Sequence, residues 1–117
     1  MDKKRKIAFT AKGPGWDSEM DPRFGRTDFF VIYDEATDSL SYIDNRSISE
    51  EAHGAGPKTS QTLFGIDPDI LITGNGPGRN AAMALERSRI RIFTGAMNMT
   101  IREAYEALLA NKLTNFN

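Results

Sequence analysis

The chain has 117 residues, of which 39% are hydrophobic and 26% charged, and its formal net charge is −1. This composition is typical of one globular domain spanning 1–117, and the absence of cysteine excludes disulfides, thiol nucleophiles, cysteine-held zinc and a thiolate-bound iron–sulfur cluster. No segment has the apolar length of a signal peptide or a membrane span, so we expect a cytoplasmic protein that makes no contact with membranes.

The first half of the chain predicts three β-strands separated by long polar loops. Before them, the cationic run Lys3–Lys6 is interpreted as a solvated arm, and the nearly neutral net charge gives no reason to expect nucleic acid as a partner. The second strand is apolar on both faces, which favours an inner position in the sheet. The strands are predicted at 6–11, 28–34 and 39–45, and the loops at 12–27 and 46–56.

The second half alternates helices with short apolar strands. Pro57 favours the first turn of a helix that begins at Gly56 and ends at Gly65. Strands are then predicted at 69–73 and 90–94, and a second helix at 79–88. Arg91 lies between two isoleucines, which indicates that the last of these strands is at the edge of the sheet.

The last helix has the clearest pattern of the chain. Thr100 and Glu103 have the spacing of a capping box, in which each side chain bonds a backbone N–H at the start of the helix. An apolar stripe at helical spacing follows, and it predicts that one face is buried. Its members are Ile101, Ala104, Tyr105, Leu108 and Leu109.

The order of elements predicts a three-layer α/β fold similar to that of ribonuclease H. The expected sheet has five strands in the order 3-2-1-4-5, with strand 2 alone antiparallel and three main helices. This topology brings four loops and the N-termini of all three helices to one edge, where open α/β sheets bind ligands and where anions are favoured. The four loops are 12–27, 46–56, 74–78 and 95–99.

The turn GNGPG at 74–78 has two readings. It does not match a dinucleotide fingerprint, because Arg79 occupies the third glycine position and no acidic residue follows the next strand. It is either a tight strand-to-helix turn or a turn that also offers backbone N–H groups to an anion. A ribonuclease activity is not favoured, because the first strand carries no carboxylate to hold metal ions.

Two further segments are candidates for the same edge. Arg23 and Arg26 flank Phe24, either as solvated arginines beside a buried ring or as a clamp for an anion. Met97 and Met99 carry soft sulfur ligands, but thioethers more often fill gaps in a core, which is the reading we favour.

His53 is the only histidine, and it lies among glycines before a predicted helix. One reading is an ordinary surface histidine. No nucleophile and base pair accompanies it, and a zinc site built from protein alone would need further ligands. A preassembled cofactor that requires a single protein ligand is compatible with it.

Four segments, in order and spacing, are similar to the dinitrogenase iron–molybdenum cofactor biosynthesis family. The resemblance implies a ribonuclease H-like fold and a non-enzymatic carrier of the iron–molybdenum cofactor or its iron–sulfur precursor, exchanged with donor and acceptor proteins. It makes His53 the candidate iron ligand, lets Arg23 and Arg26 offset cluster charge, and assigns cluster contacts to Gly74, Asn75, Gly76 and Gly78. The segments are FGRTDFFVIYD, HGAGPKTSQTLF, DILITGNGPGRNAAMALERSRIRIFTG and TIREAYEALLANKL.

Two other functions remain open from the residues themselves. One is a small regulatory module that binds an anionic metabolite or nucleotide at the same edge without needing His53. The other is a ligand-free interaction domain that uses edge strands 3 and 5 as pairing surfaces, which a homodimer would use.

Overall fold

A computed structural model describes residues 4–117, so Lys3 of the predicted arm lies outside the described residues. The expectation of a solvated arm was wrong for Arg5, whose guanidinium pairs with Glu35, and for Lys6, which lies in the first strand. Within this range a single mixed sheet is flanked by four helices, none of them long and apolar enough to cross a lipid bilayer. The strands are β1 Lys6–Ala11, β2 Phe29–Asp34, β3 Ser39–Asp44, β4 Ile70–Ile72, β5 Arg91–Thr94 and β6 Thr114–Asn115. The helices are α1 Arg46–Ser49, α2 Ala55–Ile66, α3 Arg79–Leu85 and α4 Ile101–Leu109.

The sheet has the strand order β3-β2-β1-β4-β5-β6. β1 pairs antiparallel with β2 and parallel with β4, and β3 and β5 run in the same direction as β1. The predicted order of the first five strands is confirmed. The carboxyl ends of β1, β3, β4 and β5 therefore lie at one edge of the sheet.

The sheet has six strands, so the predicted number of five was wrong. β6 pairs antiparallel with β5, with Phe93 opposite Asn115 and Thr94 opposite Thr114. The sheet therefore contains two antiparallel strands, β2 and β6. The expectation that strand 5 is an edge strand, marked by Arg91 and open as a pairing surface, was also wrong, because the 114–117 segment covers the outer side of β5. A two-residue polar strand has no apolar alternation that a sequence pattern can detect.

Helices cover both faces of the sheet. One core contains Ile7 and Phe9 of β1 with Ile101 and Leu108 of α4. The other contains Ala8 of the same strand and residues of α2 and α3. Because neighbouring residues of a strand point to opposite faces, β1 serves both cores and the molecule has three layers.

The helix boundaries differ in part from those predicted. Segment 46–56 includes the short helix α1, and α2 begins at Ala55, which makes Pro57 its third residue. Proline is tolerated there because the first N–H groups of a helix have no acceptor within it. Gly65 lies inside α2, whose chain leaves the helix at Asp67 in a left-handed conformation (φ 55°).

The capping box of α4 is confirmed, since the N–H of Glu103 donates to the Thr100 hydroxyl and the N–H of Thr100 to the Glu103 carboxylate. The apolar stripe is confirmed for four of its five members. Leu109 is the exception and is 56% exposed.

A carboxylate links three elements at the edge opposite the loops. Glu35, which follows β2, accepts hydrogen bonds from the Arg5 guanidinium at 3.0 Å and from the Tyr105 hydroxyl at 2.6 Å. Burial alone would raise the pKa of Glu35, but these hydrogen bonds outweigh it and lower the pKa to about 2. Burial raises the pKa of Tyr105, and its hydrogen bond to Glu35 raises it further.

This depressed pKa predicts a pH-dependent contribution to stability. The ionised form of Glu35 is favoured in the folded state, so its contribution, about 3 kcal/mol, is present above pH 4.5 and is lost as the pH falls toward 2. In urea unfolding at a series of pH values, Glu35→Gln should differ most from the unmodified chain near neutrality and converge with it in acid. Glu86→Gln, which alters an exposed carboxylate, is the control, and a constant difference for Glu35→Gln at all pH values would contradict the assignment.

Candidate functional site

An open cleft of about 690 Å³ lies at the edge where the parallel strands end. Three segments form it: the loop 22–26 after β1, the segment 52–57 that leads into α2, and the 75–79 turn between β4 and α3. The convergence of these three loops was predicted from the topology. The loop 95–99, predicted as a fourth member, does not line the cleft.

The lining of the cleft is positively charged and rich in glycine. Among the described residues that line it there is no aspartate or glutamate, in a chain whose overall charge is negative. Five glycines bring backbone to the surface of the cleft. The polar side chains on it are Arg23, Arg26, His53, Asn75 and Arg79.

His53 lies on the cleft and is exposed to solvent. Gly54 follows it in a left-handed conformation (φ 78°) and is the N-cap of α2, which leaves the helix start without a capping side chain. The N–H groups of Ala55 and Gly56 therefore have no partner within the helix, and both residues line the cleft. In residues 4–117 no three histidine, aspartate or glutamate side chains are grouped to hold a metal ion.

Arg23 reaches the cleft as half of a bidentate ion pair. Its Nε and Nη2 each donate to Asp21 at 3.0 Å, and these hydrogen bonds raise the pKa of the guanidinium. The Asp21 carboxylate is fully buried and also accepts the N–H groups of Arg23 and Asp28. Arg23 is thus held in place by a buried charge, and sequence spacing alone could not indicate that role for Asp21.

Arg26 binds backbone instead of a carboxylate. Its Nη1 donates to the carbonyl oxygens of Ser49 at 2.7 Å and Glu51 at 2.8 Å, where α1 ends. A cation is favoured at a helix C-terminus, where carbonyl groups lack partners. Arg26 therefore tethers the segment that carries His53 and is itself part of the cleft lining.

The predicted glycine turn divides into structural and cleft-lining positions. Gly74 does not line the cleft, and a Cβ added to it would lie 2.6 Å from the Cα of Pro22. Gly76 lines the cleft, and a Cβ there would lie 2.5 Å from the ring of Phe116. Gly78 has open space around its Cα. Glycine is thus required at 74, where the contact is with backbone, whereas a larger residue at 76 would meet a side-chain ring.

A close approach of backbones fixes the floor of the cleft. A Cβ added to Gly25 would lie 3.2 Å from the Cα of Gly56, so the loop packs directly on the first turn of α2. The Thr59 hydroxyl donates to the Gly25 carbonyl at 2.7 Å, and the buried amide of Asn45 donates to Thr59. Phe24 is buried, as one of its two readings predicted. Its burial and these contacts hold the 22–26 loop against the helix.

Helix α4 was predicted to direct its N-terminus at the same site. Its first N–H groups are not available to a ligand, because each of them already has an acceptor. The N–H of Ile101 donates to Ser18, that of Arg102 to Trp16, and that of Glu103 to Thr100. Core packing was the favoured prediction for both methionines. It is confirmed for Met99, which packs against the first core. It was wrong for Met97, which is 46% exposed.

Arg79 was missed as a site residue. It is the first residue of α3, and it lines the cleft together with Arg23 and Arg26. The signal was present in the sequence, since Arg79 is the residue that breaks the dinucleotide fingerprint of the glycine turn.

The fold and the cleft define a class: a small α/β domain with a basic, glycine-lined pocket at the carboxyl ends of its parallel strands. The sequence profile of the dinitrogenase iron–molybdenum cofactor family matches residues 3–111. The chain belongs to this family.

Solved structures of similar proteins agree with this assignment. The apo form of the orange protein from Desulfovibrio gigas is 35% identical, with a TM-score of 0.87, and the alignment covers 98% of this chain and 95% of that one. A Thermotoga protein provisionally described as a NifB protein is 29% identical, with a TM-score of 0.81 and coverage of 97% and 93%. A comparison with curated protein sequences found no significant match.

Proposed function

We propose that the chain is a non-enzymatic carrier that binds a preassembled metal–sulfur cluster in the cleft, either the iron–molybdenum cofactor or its iron–sulfur precursor. The observation that carries the proposal is a cleft with three arginines and one histidine but no acidic lining residue. Membership of the dinitrogenase iron–molybdenum cofactor family supports the choice of ligand.

The charge of the cleft fits an anionic cluster. Arg23 is balanced by Asp21, whereas Arg26 and Arg79 have no carboxylate partner among the described ion pairs. Arginine is weakly hydrated and presents several donors in a fixed plane, which suits contact with sulfides and with the carboxylate of an organic ligand on the cluster. Gly76 and Gly78 bring backbone to the same surface, and Asn75 adds an amide side chain, since its own N–H donates to Pro22.

The single histidine fits a cargo that is held and then released. The chain has no cysteine, so a cluster cannot be anchored by protein thiolates. His53 supplies one nitrogen ligand from an exposed position between small residues, where donor and acceptor proteins can reach the bound cluster. One coordinate bond and a set of electrostatic contacts give a complex that can exchange its cargo.

The lining residues also favour binding over catalysis. Apart from His53, the described side chains on the cleft include no group that takes or gives a proton near neutral pH, and no serine or threonine nucleophile.

An anaerobic titration of the purified protein with isolated iron–molybdenum cofactor, followed by visible absorbance and electron paramagnetic resonance, tests the proposal. We expect saturable binding that His53→Ala weakens at least about tenfold, equivalent to about 1.4 kcal/mol. Gln61→Ala, an exposed substitution on α2 outside the cleft, should bind as the unmodified chain does.

The same titration distinguishes the proposed carrier from the alternative function. A regulatory module for an anionic metabolite or nucleotide would bind pyrophosphate or ATP, and His53→Ala would leave that affinity unchanged. Saturable binding of those probes without any binding of the cofactor or its iron–sulfur precursor would contradict the carrier proposal.

A further inference from the structure

The segment 114–117 is fixed to the outer side of β5 by backbone and side-chain hydrogen bonds. The N–H of Phe116 donates to Ile92 at 2.8 Å. The Asn117 side chain extends the ladder, because its Oδ1 accepts the N–H of Ile92 and its Nδ2 donates to Ile90, both at 3.0 Å. Phe116 is therefore held from both sides along the chain.

The ring of Phe116 rests on the glycine turn of the cleft. Its Cε1 would lie 2.5 Å from a Cβ at position 76, so ring and backbone are in direct contact there. The ring also lines a mainly apolar cavity of about 370 Å³, together with Met83 and Leu85 of α3. Phe116 is 43% exposed, so the glycine turn and this cavity cover only part of it.

The turn has few other attachments near its middle. The N–H of Asn75 donates to Pro22 at 2.9 Å, and the carbonyl of Gly78 accepts the N–H of Ala82 at 2.8 Å. Between these two hydrogen bonds lie Pro77, which is buried, and Gly76, which has no side chain of its own to pack. The ring supplies the packing that glycine lacks.

We infer that Phe116 is a positioning residue, which holds the 75–79 turn and Arg79 in the geometry that binds the ligand. The expected change in ligand affinity rests on the proposed function. The support that Phe116 gives to the turn does not depend on that function. Without the ring the turn would sample other conformations, and ligand binding would have to order it again. Arg79 lines both the cleft and the apolar cavity, so it would be displaced with the turn.

Two measurements test the inference. In the apoprotein, Phe116→Ala should increase hydrogen exchange of the backbone amides of Asn75 and Ala82, which donate to Pro22 and to Gly78 at the two ends of the turn. Phe116→Leu should retain most of the protection of these two amides. In the cofactor titration, Phe116→Ala should weaken binding by about fivefold, through lost preorganisation of the turn. Met83→Ala, which lines the same cavity but does not contact Gly76, should change neither measurement.

A double-mutant cycle identifies the contact responsible. Gly76→Ala should weaken binding in the unmodified chain, where its Cβ meets the ring, and should have a smaller effect in the Phe116→Ala background. Additive effects, or unchanged exchange in Phe116→Ala, would overturn the inference. If the unmodified chain binds no cofactor, the proposed function fails while the exchange measurement still decides whether Phe116 braces the turn.

Discussion

Replacing Gly74 by alanine is expected to lower the free energy of unfolding by about 2–3 kcal/mol. The added Cβ would lie 2.6 Å from the Cα of Pro22, 3.2 Å from the carbonyl oxygen of Asp21 and 3.3 Å from Cγ of Met97. The first two contacts are with backbone, which cannot rotate away as a side chain can. The loop after β1 must therefore move off the end of β4, and the hydrogen bond from Asn75 to Pro22 is strained.

Urea unfolding of Gly74→Ala measures this loss, and Gly65→Ala is the matched control. Gly65 lies inside α2 with no atom within 4 Å of an added Cβ, and its φ is not positive. The same substitution should there stabilise the protein by about 0.5–1 kcal/mol, because alanine is the better helix former. Equal effects of the two substitutions would show that packing at Gly74 is not close.

Most of the sheet could be predicted from the sequence, because its strands are apolar runs in an order with few allowed topologies. Strand β1 shows this best, since its continuous apolar run is explained by burial on both faces. The pairing of β6 could not be predicted. It depends on the side chain of Asn117 and on the packing of Phe116, and neither leaves a periodic pattern in the sequence.

The location of the cleft could be predicted, whereas the partners of its side chains could not. Topology brought the loops of Arg23, Arg26 and His53 to one edge, and all three residues line the cavity. The spacing of DPRFGR carries no information on whether an arginine binds a carboxylate, a carbonyl or a ligand. That Arg23 pairs with a buried charge and Arg26 with two carbonyls follows from tertiary contacts alone.

Asp21→Asn is expected to lower the free energy of unfolding by about 3 kcal/mol, because hydrogen bonds to a charged acceptor contribute more than neutral ones. The carboxylate accepts four hydrogen bonds, from three groups of Arg23 and from the N–H of Asp28. An asparagine places an amide donor against one of these donors and leaves it buried without an acceptor. Asp17→Asn is the control: it changes the same residue type in the same loop, but in a pair with Arg102 that lies on the surface.

The backbone of Asp21 is anchored independently of its side chain, since its N–H donates to Thr10 and its carbonyl accepts the Thr10 hydroxyl. The damage from Asp21→Asn should therefore be confined to residues 22–28, which form one wall of the cleft. Arg23→Gln leaves the buried carboxylate without its cation, and the double variant removes both charges. A coupling free energy of about 1–3 kcal/mol between the two positions is expected in urea unfolding. If the two losses simply add, the ion pair does not hold the wall, and Arg23 is free to act on a ligand by itself.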